Sequence, residues 1–264
     1  MVGPLLADPT MWRLAAARAT GRSHLRSGLP CQDRFAYQIL PDGSFIAALA
    51  DGAGSASNAE VGAETAVVTV VSYLQQALTS GRTDLELLMG EAASYAREAV
   101  IAVADTKQAE PRSFASTLLA VILVADKGAA MQIGDGAMVI KNSHEEWMWV
   151  FWPQRGEYAN TTYFLTDEAA LQRLQVDTLP GAISDIALMS DGLESLALHY
   201  AHQGVHQPFF NGIFRPLLEA NGTEEIKALS DSLQQFLASE QVSSRTDDDV
   251  SIILATRRPC QTVP

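Results

Sequence analysis

Short apolar runs and longer stretches of helical spacing take turns along the chain. Trp12–Ala19 reads as a first strand, and a polar loop follows from Thr20 to about Arg34. Phe35–Leu40 and Ser44–Ala50 are apolar runs separated by Pro41-Asp42-Gly43, where Pro presets φ and Gly accepts the positive φ of a hairpin turn. Ala59–Leu78 has helical spacing, with Val61, Val68 and Val71 among its expected buried positions. A second helix, from about Asp84 to Asp105, presents Leu87, Leu88, Tyr95 and Ile101 as its apolar face. Strands resume at Ser116–Val124, Ala129–Ile133, Met138–Lys141 and Glu146–Trp152. Alternation in the last of these puts Trp147 and Trp149 on one face and Trp152 on the other. Three tryptophans in one run predict a strand buried on both faces. From Pro153 to Ser184 the periodicity fades into an irregular, flap-like excursion with a short helix near Asp167–Leu174. Ile186–Met189 is a strand, Leu193–His199 opens a helix, and further helices lie near Pro208–Ala220 and Glu224–Ser239. Val250–Thr256 closes the pattern as a strand. No repeat and no Pro/Ser/Gly linker divides this text, so residues 1–264 read as one domain.

Composition narrows the classes. With 47% hydrophobic residues over 264 positions there is material for a sizeable core, which argues against disorder. The 31 acidic and 18 basic residues give a net charge of −13, which argues against nucleic-acid or anionic-membrane partners held by overall charge. The longest apolar run, Leu118–Ala125, is far short of the about 20 residues of a transmembrane helix. The start, MVGPLLADPT, lacks the pattern of a signal peptide. Two cysteines, Cys31 and Cys260, are too few for a disulfide framework, so a reduced cytoplasmic setting is expected.

The aspartates change the picture. Asp33 immediately precedes a predicted strand, Asp51 and Asp191 follow strands, Asp135 sits between two, and Asp247, Asp248 and Asp249 precede the last. Asp-Gly pairs also make plain turns, as Asp42-Gly43 does between its two strands. After Asp51 and Asp191, however, the chain runs through small residues toward a helix, and such strand-end loops are where rigid scaffolds place functional groups. Converging carboxylates with no neighbouring Lys or Arg cluster repel unless protonated or metal-bound. Hard oxygen donors of this kind suit Mg²⁺ or Mn²⁺. The five histidines, at 24, 144, 199, 202 and 206, offer no zinc spacing, because Gly204 breaks the helix that would align His202 with His206.

Six ordered segments carry a resemblance: SHLRSGLPCQDRF, ALADGAGS, SFASTLLAVIL, QIGDGAM, ALMSDGLES and DDDVSIILAT. Together they resemble the metal-dependent (PPM-type, or type 2C) protein serine/threonine phosphatases, and GLPCQDRF with EYANTTYFLT looks most like a bacterial branch. The motif-bearing part spans about 12–256. The resemblance implies an α+β fold: a four-layer α/β/β/α sandwich of two antiparallel sheets flanked by helical layers. It also implies two Mg²⁺ or Mn²⁺ ions, with a weaker third, that activate water to hydrolyse phosphoserine and phosphothreonine in proteins, opposing a Ser/Thr kinase. Carried over by position, Asp33 would hold one metal through water or directly, Asp51 would bridge two with the Gly52 carbonyl beside it, and Asp191 and Asp248 would complete the other metal's shell. Asp135 would join Asp191 at the third ion.

Departures from the family pattern stand beside these matches. The usual phosphate-clamping Arg falls on Gly28, with His24 and Arg26 as nearby substitutes in phosphate or proton-transfer roles. The first acid of the usual pair is Gln32, the His often found after Asp-Gly is Ala53, and the acid four after Asp191 is Ser195. They leave a second reading open, a catalytically weak phosphatase-like domain that binds a partner or phosphopeptide. Within the excursion, Arg155, Glu157, Tyr158, Asn160, Thr161 and Thr162 make a candidate lid, and Arg155 a candidate phosphate cation.

Overall fold

The computed structural model describes residues 10–142, 144–155, 162–179, 181, 183–220 and 223–259. In chain order the elements are β1 (Thr10–Ala19), α1 (Arg22–Ser27), β2 (Arg34–Ile39), β3 (Phe45–Ala50), α2 (Ala59–Thr79) and α3 (Leu85–Thr106). Then come β4 (Leu118–Val124), β5 (Lys127–Ile133), β6 (Ala137–Lys141), β7 (Trp147–Phe151), α4 (Ala170–Arg173), β8 (Gln175–Leu179) and β9 (Asp185–Met189). The remainder is α5 (Glu194–Ala197), β10 (Leu198–His199), β11 (Gly204–Val205), α6 (Gln207–Glu219), α7 (Thr223–Leu237), α8 (Glu240–Ser243) and β12 (Val250–Pro259).

Two five-stranded sheets form the frame, one in the order β1-β12-β9-β6-β7 and the other β2-β3-β4-β5-β8. Every pairing in both is antiparallel. Alternation along β3 explains why all six of its residues are buried. Phe45, Ala47 and Leu49 meet the other sheet together with Leu119, Val121, Leu188 and Ile253, while Ile46, Ala48 and Ala50 meet α2 and α3 through Val67, Val70, Leu88 and Ala92. The opposite sheet is covered by α6 and α7, where Phe210, Phe214, Leu217 and Leu237 pack on Ala15, Ala187 and Leu254. The order of layers is therefore helix, sheet, sheet, helix, as the resemblance implied.

Several expectations fail in instructive ways. The loop expected over 20–34 contains α1, six residues between Gly21 and a left-handed Gly28, too short to show a period. Val68, Leu87 and Tyr95 are exposed; α3 starts where Asp84 caps the Leu87 N–H, but its buried stripe is Leu85, Leu88, Met89, Ala92, Ala96 and Val100. Alanines make up much of that stripe, which leaves Leu87 and Tyr95 on the outer face. The strand of tryptophans is not buried on both faces: β7 is the sheet edge, and Met148 is exposed. Trp152 lies beyond the strand end and packs edge-on to Trp149 at 5.7 Å, so alternation no longer governs it. The short helix expected near Asp167–Leu174 is α4, but the excursion also holds the largely exposed edge strand β8, which was not expected. The helix expected over Leu193–His199 stops at Ala197 and passes into β10. Glu157, Tyr158, Asn160 and Thr161 of the candidate lid lie outside the described residues, as does Cys260.

Candidate metal centre

Antiparallel register gathers the acids. Ala19 pairs with Val250, Ile252 with Met189, and Met189 with Ala137. In the other sheet Arg34 pairs with Ala50, Leu49 with Leu119, and Leu118 with Ile133. The end of one strand thus lies beside the start of the next. Asp51, Asp135 and Asp191 bring carboxylate oxygens within 4.8 Å of one another, and the charges of Asp33 and Asp248 act on Asp51 from close by.

Hydroxyl groups next to these strand ends fix the loops. The Thr117 hydroxyl accepts the Asp51 N–H at 2.9 Å, and the Thr117 N–H donates to the Asp51 carbonyl at 2.8 Å. Gly52 forms an isolated bridge with Ser116, which turns its carbonyl-bearing loop along β4. The Ser190 hydroxyl accepts the Ser251 N–H at 2.9 Å, and the Ser190 N–H donates to the Ser251 carbonyl at 3.1 Å. Sequence reasoning missed Thr117, Ser190 and Ser251 as supports. Their signal was present as Ser or Thr beside each acidic strand end.

The carboxylates have far too few protons around them. Both Asp33 oxygens, one Asp191 oxygen and the Gln32 side-chain oxygen are buried without a hydrogen-bond donor. Ser190, Ser251 and Asp51 lie near enough to influence Asp33, but none makes a well-formed bond with it. Burial, only partly offset by those neighbours, pushes Asp33 up to about 6. Burial, then the charges of Asp135 and Asp248, pushes Asp191 up to about 8. Asp51 is raised well above the carboxylate range by burial and then by Asp33, Asp191 and Asp248, and Asp135 is raised by burial as well. No Lys or Arg forms an ion pair with any of these five acids among the described residues. An orphaned, oxygen-only group of this kind fits divalent cations.

The three consecutive aspartates divide their work. Asp249 is buried, with Oδ1 accepting the Gly21 N–H at 2.7 Å and Oδ2 accepting the Gln32 N–H at 2.6 Å. That Oδ2 also lies 2.9 Å from His24 Nδ1. An ionised carboxylate only accepts, so Nδ1 carries the proton of that bond. Asp248 stands exposed at the rim, with Oδ1 taking the Asp249 N–H at 2.8 Å. Asp247 is exposed and lies 3.7 Å from the exposed Arg26 guanidinium, so Arg26 faces a carboxylate at the surface. Gly21 makes the close approach of this loop feasible, because a Cβ there would overlap the Asp248 carbonyl.

Two more groups line the mouth. His24 is buried, and its Nε2 faces Gly54, where an added Cβ would sit 3.7 Å away. Gly54 lies in the Asp51 loop, so His24 reaches the neighbourhood that Ala53 leaves without an imidazole. Arg155 bonds Glu194 at 3.2 Å and lies 4.4 Å over the Tyr200 ring. Its charge acts on Asp135. Glu194 and Tyr200 were not anticipated, since neither matches a family position.

The sequence profile of protein phosphatase 2C matches residues 20–238. The chain belongs to this family. A curated relative, serine/threonine-protein phosphatase 3 of Escherichia coli (strain K12), is 38% identical in an alignment of 249 positions that covers 92% of this chain and 98% of that protein. Among solved structures, the catalytic domain of the serine/threonine phosphatase PstP, in complex with two manganese ions, is similar with a TM-score of 0.63 at 17% identity. The match covers 94% of this chain and 99% of that one. Stp1 from Staphylococcus aureus gives 0.61 at 16% identity, over 97% of this chain and 99% of its own. At these identities the structures speak for the shared sandwich, and the family assignment rests on the profile and the curated relative.

Proposed function

We propose that this phosphatase 2C family member hydrolyses phosphoserine and phosphothreonine monoesters in proteins at a centre of two divalent cations, Mn²⁺ or Mg²⁺. The carrying observation is the convergence of the half-buried Asp51, Asp135 and Asp191 carboxylates near the buried Asp33, whose two oxygens have no hydrogen-bond donor, with no side-chain cation paired to them among the described residues. Asp33, Asp51, Asp191 and Asp248 are the proposed ligand side chains, with the Gly52 carbonyl beside Asp51, and Asp135 stands with Asp191 for a weaker third ion. When bound, such ions supply Lewis acidity that draws in the phosphoryl oxygens and makes water a nucleophile at neutral pH.

The chain's own groups do the rest. Thr117 and Ser190 hold the Asp51 and Asp191 loops in place before substrate arrives, so little reorganisation accompanies binding. His24, with Nδ1 fixed on Asp249, presents Nε2 toward the Asp51 loop and can hold a proton for the departing serine or threonine oxygen. It would take the place of the imidazole that Ala53 lacks. Arg155 supplies a guanidinium beside Asp135, a phosphate-side charge in place of the arginine missing at Gly28. Arg26, tied to Asp247 at the surface, contributes less to this reading than either. A phosphoprotein substrate fits a role opposing a Ser/Thr kinase in the cytoplasm, and among the described residues no helix is long and apolar enough to cross a membrane.

The test is hydrolysis of an aryl phosphate and of a phosphothreonine peptide after chelation, with and without added Mn²⁺. Turnover of both that vanishes on chelation and returns with Mn²⁺ is expected. Peptide binding without turnover at any metal concentration would favour the partner-binding reading that Gln32, Gly28 and Ala53 motivate.

A further inference from the structure

Beside the carboxylate centre lies a cleft of about 570 Å³, bounded by the segment entering α1, the stretch before β2, and the ends of α7 and α8. Asp248 forms part of its wall, Leu237 and Val242 give it apolar surface, and three arginines, Arg18, Arg22 and Arg34, line it. The three are not equivalent. Arg34 is buried and neutralised by Glu60 and by Glu64, the latter at 3.1 Å, and its remaining N–H groups donate to the Cys31 and Asp33 carbonyls at 2.7 Å. Arg18 donates to the Asp33 carbonyl at 2.7 Å. Arg22 donates across the cleft to the Ser243 hydroxyl at 3.0 Å.

Among the described residues, neither Arg18 nor Arg22 has a carboxylate within ion-pairing distance. Both are half-buried. In a chain of net charge −13, these two guanidinium groups line one cleft with a backbone carbonyl and a hydroxyl as their acceptors. A guanidinium carries five N–H donors in a planar fork, so each retains free donors suited to a carboxylate. The wall shared with Asp248 sets this charge beside the reacting centre, within reach of residues flanking a bound phosphoresidue.

We infer that this cleft is a specificity subsite that binds a carboxylate side chain, Asp or Glu, close in sequence to the phosphoserine or phosphothreonine being hydrolysed. The inference rests on the phosphatase reading and deepens it. Arg22 is the better probe, because Arg18 also braces the Asp33 backbone.

Paired phosphothreonine peptides differing only by Glu or Gln at each of the three positions on either side test it. At one or more positions kcat/KM for the Glu peptide should exceed that for the Gln peptide about tenfold, the size expected of a charge-assisted hydrogen bond. High salt should narrow the gap. In Arg22→Ala the ratio should fall below about twofold by the same conversion, and Arg22→Lys should restore much of it. A ratio near one at every position in the parent protein, or an undiminished ratio in a folded Arg22→Ala, overturns the subsite while leaving the phosphatase standing. Failure of the parent protein to hydrolyse any of the peptides overturns both.

Discussion

The aspartate triplet shows how adjacent residues of one type take different duties according to what their oxygens already touch. Asp249 is engaged by two backbone N–H groups and His24, so its carboxylate has little left to offer an ion, while Asp248 at the rim has. Asp248→Asn should therefore weaken Mn²⁺ binding and lower turnover, with recovery at raised Mn²⁺. Asp249→Asn should instead lower stability by about 2 kcal/mol, the range for disturbing a buried charge-assisted bond, and no added metal should restore its activity. Metal titrations of turnover and denaturant unfolding of the two variants separate these outcomes, and a reversed pattern would move the ligand by one residue. Which strand ends bear acids was legible from the sequence, because Asp-Gly after an apolar run leaves little choice of turn. What His24 touches was not, since its partner Asp249 lies at the far end of the chain and meets it only once β1 pairs with β12.

At the scale of elements, apolar runs and long helices were read well, and short segments of polar text poorly. β3, β4 and β9 are unbroken apolar runs and α2 and α3 keep their spacing over several turns, whereas α1 and β8 are short and largely polar. The stripe of α3 was misjudged for a different reason. Burial under α2 and α3 selects small side chains, and alanine carries no strong hydrophobic signal. The glycines of these two helices make that packing testable. A Cβ at Gly62 in α2 would overlap the Phe114 carbonyl, while one at Gly90 in α3 would meet open space. Alanine in place of helical glycine ordinarily stabilises by about 0.5–1 kcal/mol. Gly90→Ala should gain about that much on the same scale, and Gly62→Ala should lose stability despite the identical change in propensity. Both follow from denaturant midpoints at constant m-value. Equal gains would mean that α2 does not approach the turn before β4 as closely as described.

For the whole molecule, the acidic end of the sandwich ties stability to protons and metal in opposite senses. With Asp191 raised to about 8, Asp33 to about 6 and Asp51 well above its ordinary value, the metal-free folded chain binds protons that the unfolded chain, with carboxyl groups near 4, has already released. A group whose folded pKa is raised contributes stability that is complete below its unfolded pKa and is lost as pH climbs through the folded one. The chelated protein should therefore lose thermal stability steadily from about pH 4 to about pH 8 on account of these groups. Divalent cations compete with those same protons, so saturating Mn²⁺ should raise Tm by little at pH 5 and by much more at pH 8. Thermal unfolding in chelator and in Mn²⁺ at the two pH values provides the comparison. A chelated Tm that rises between pH 5 and pH 8, or a Mn²⁺ shift equal at both, would show that the carboxylates find other partners and that the charge gathered by the strand register is not the charge a metal neutralises.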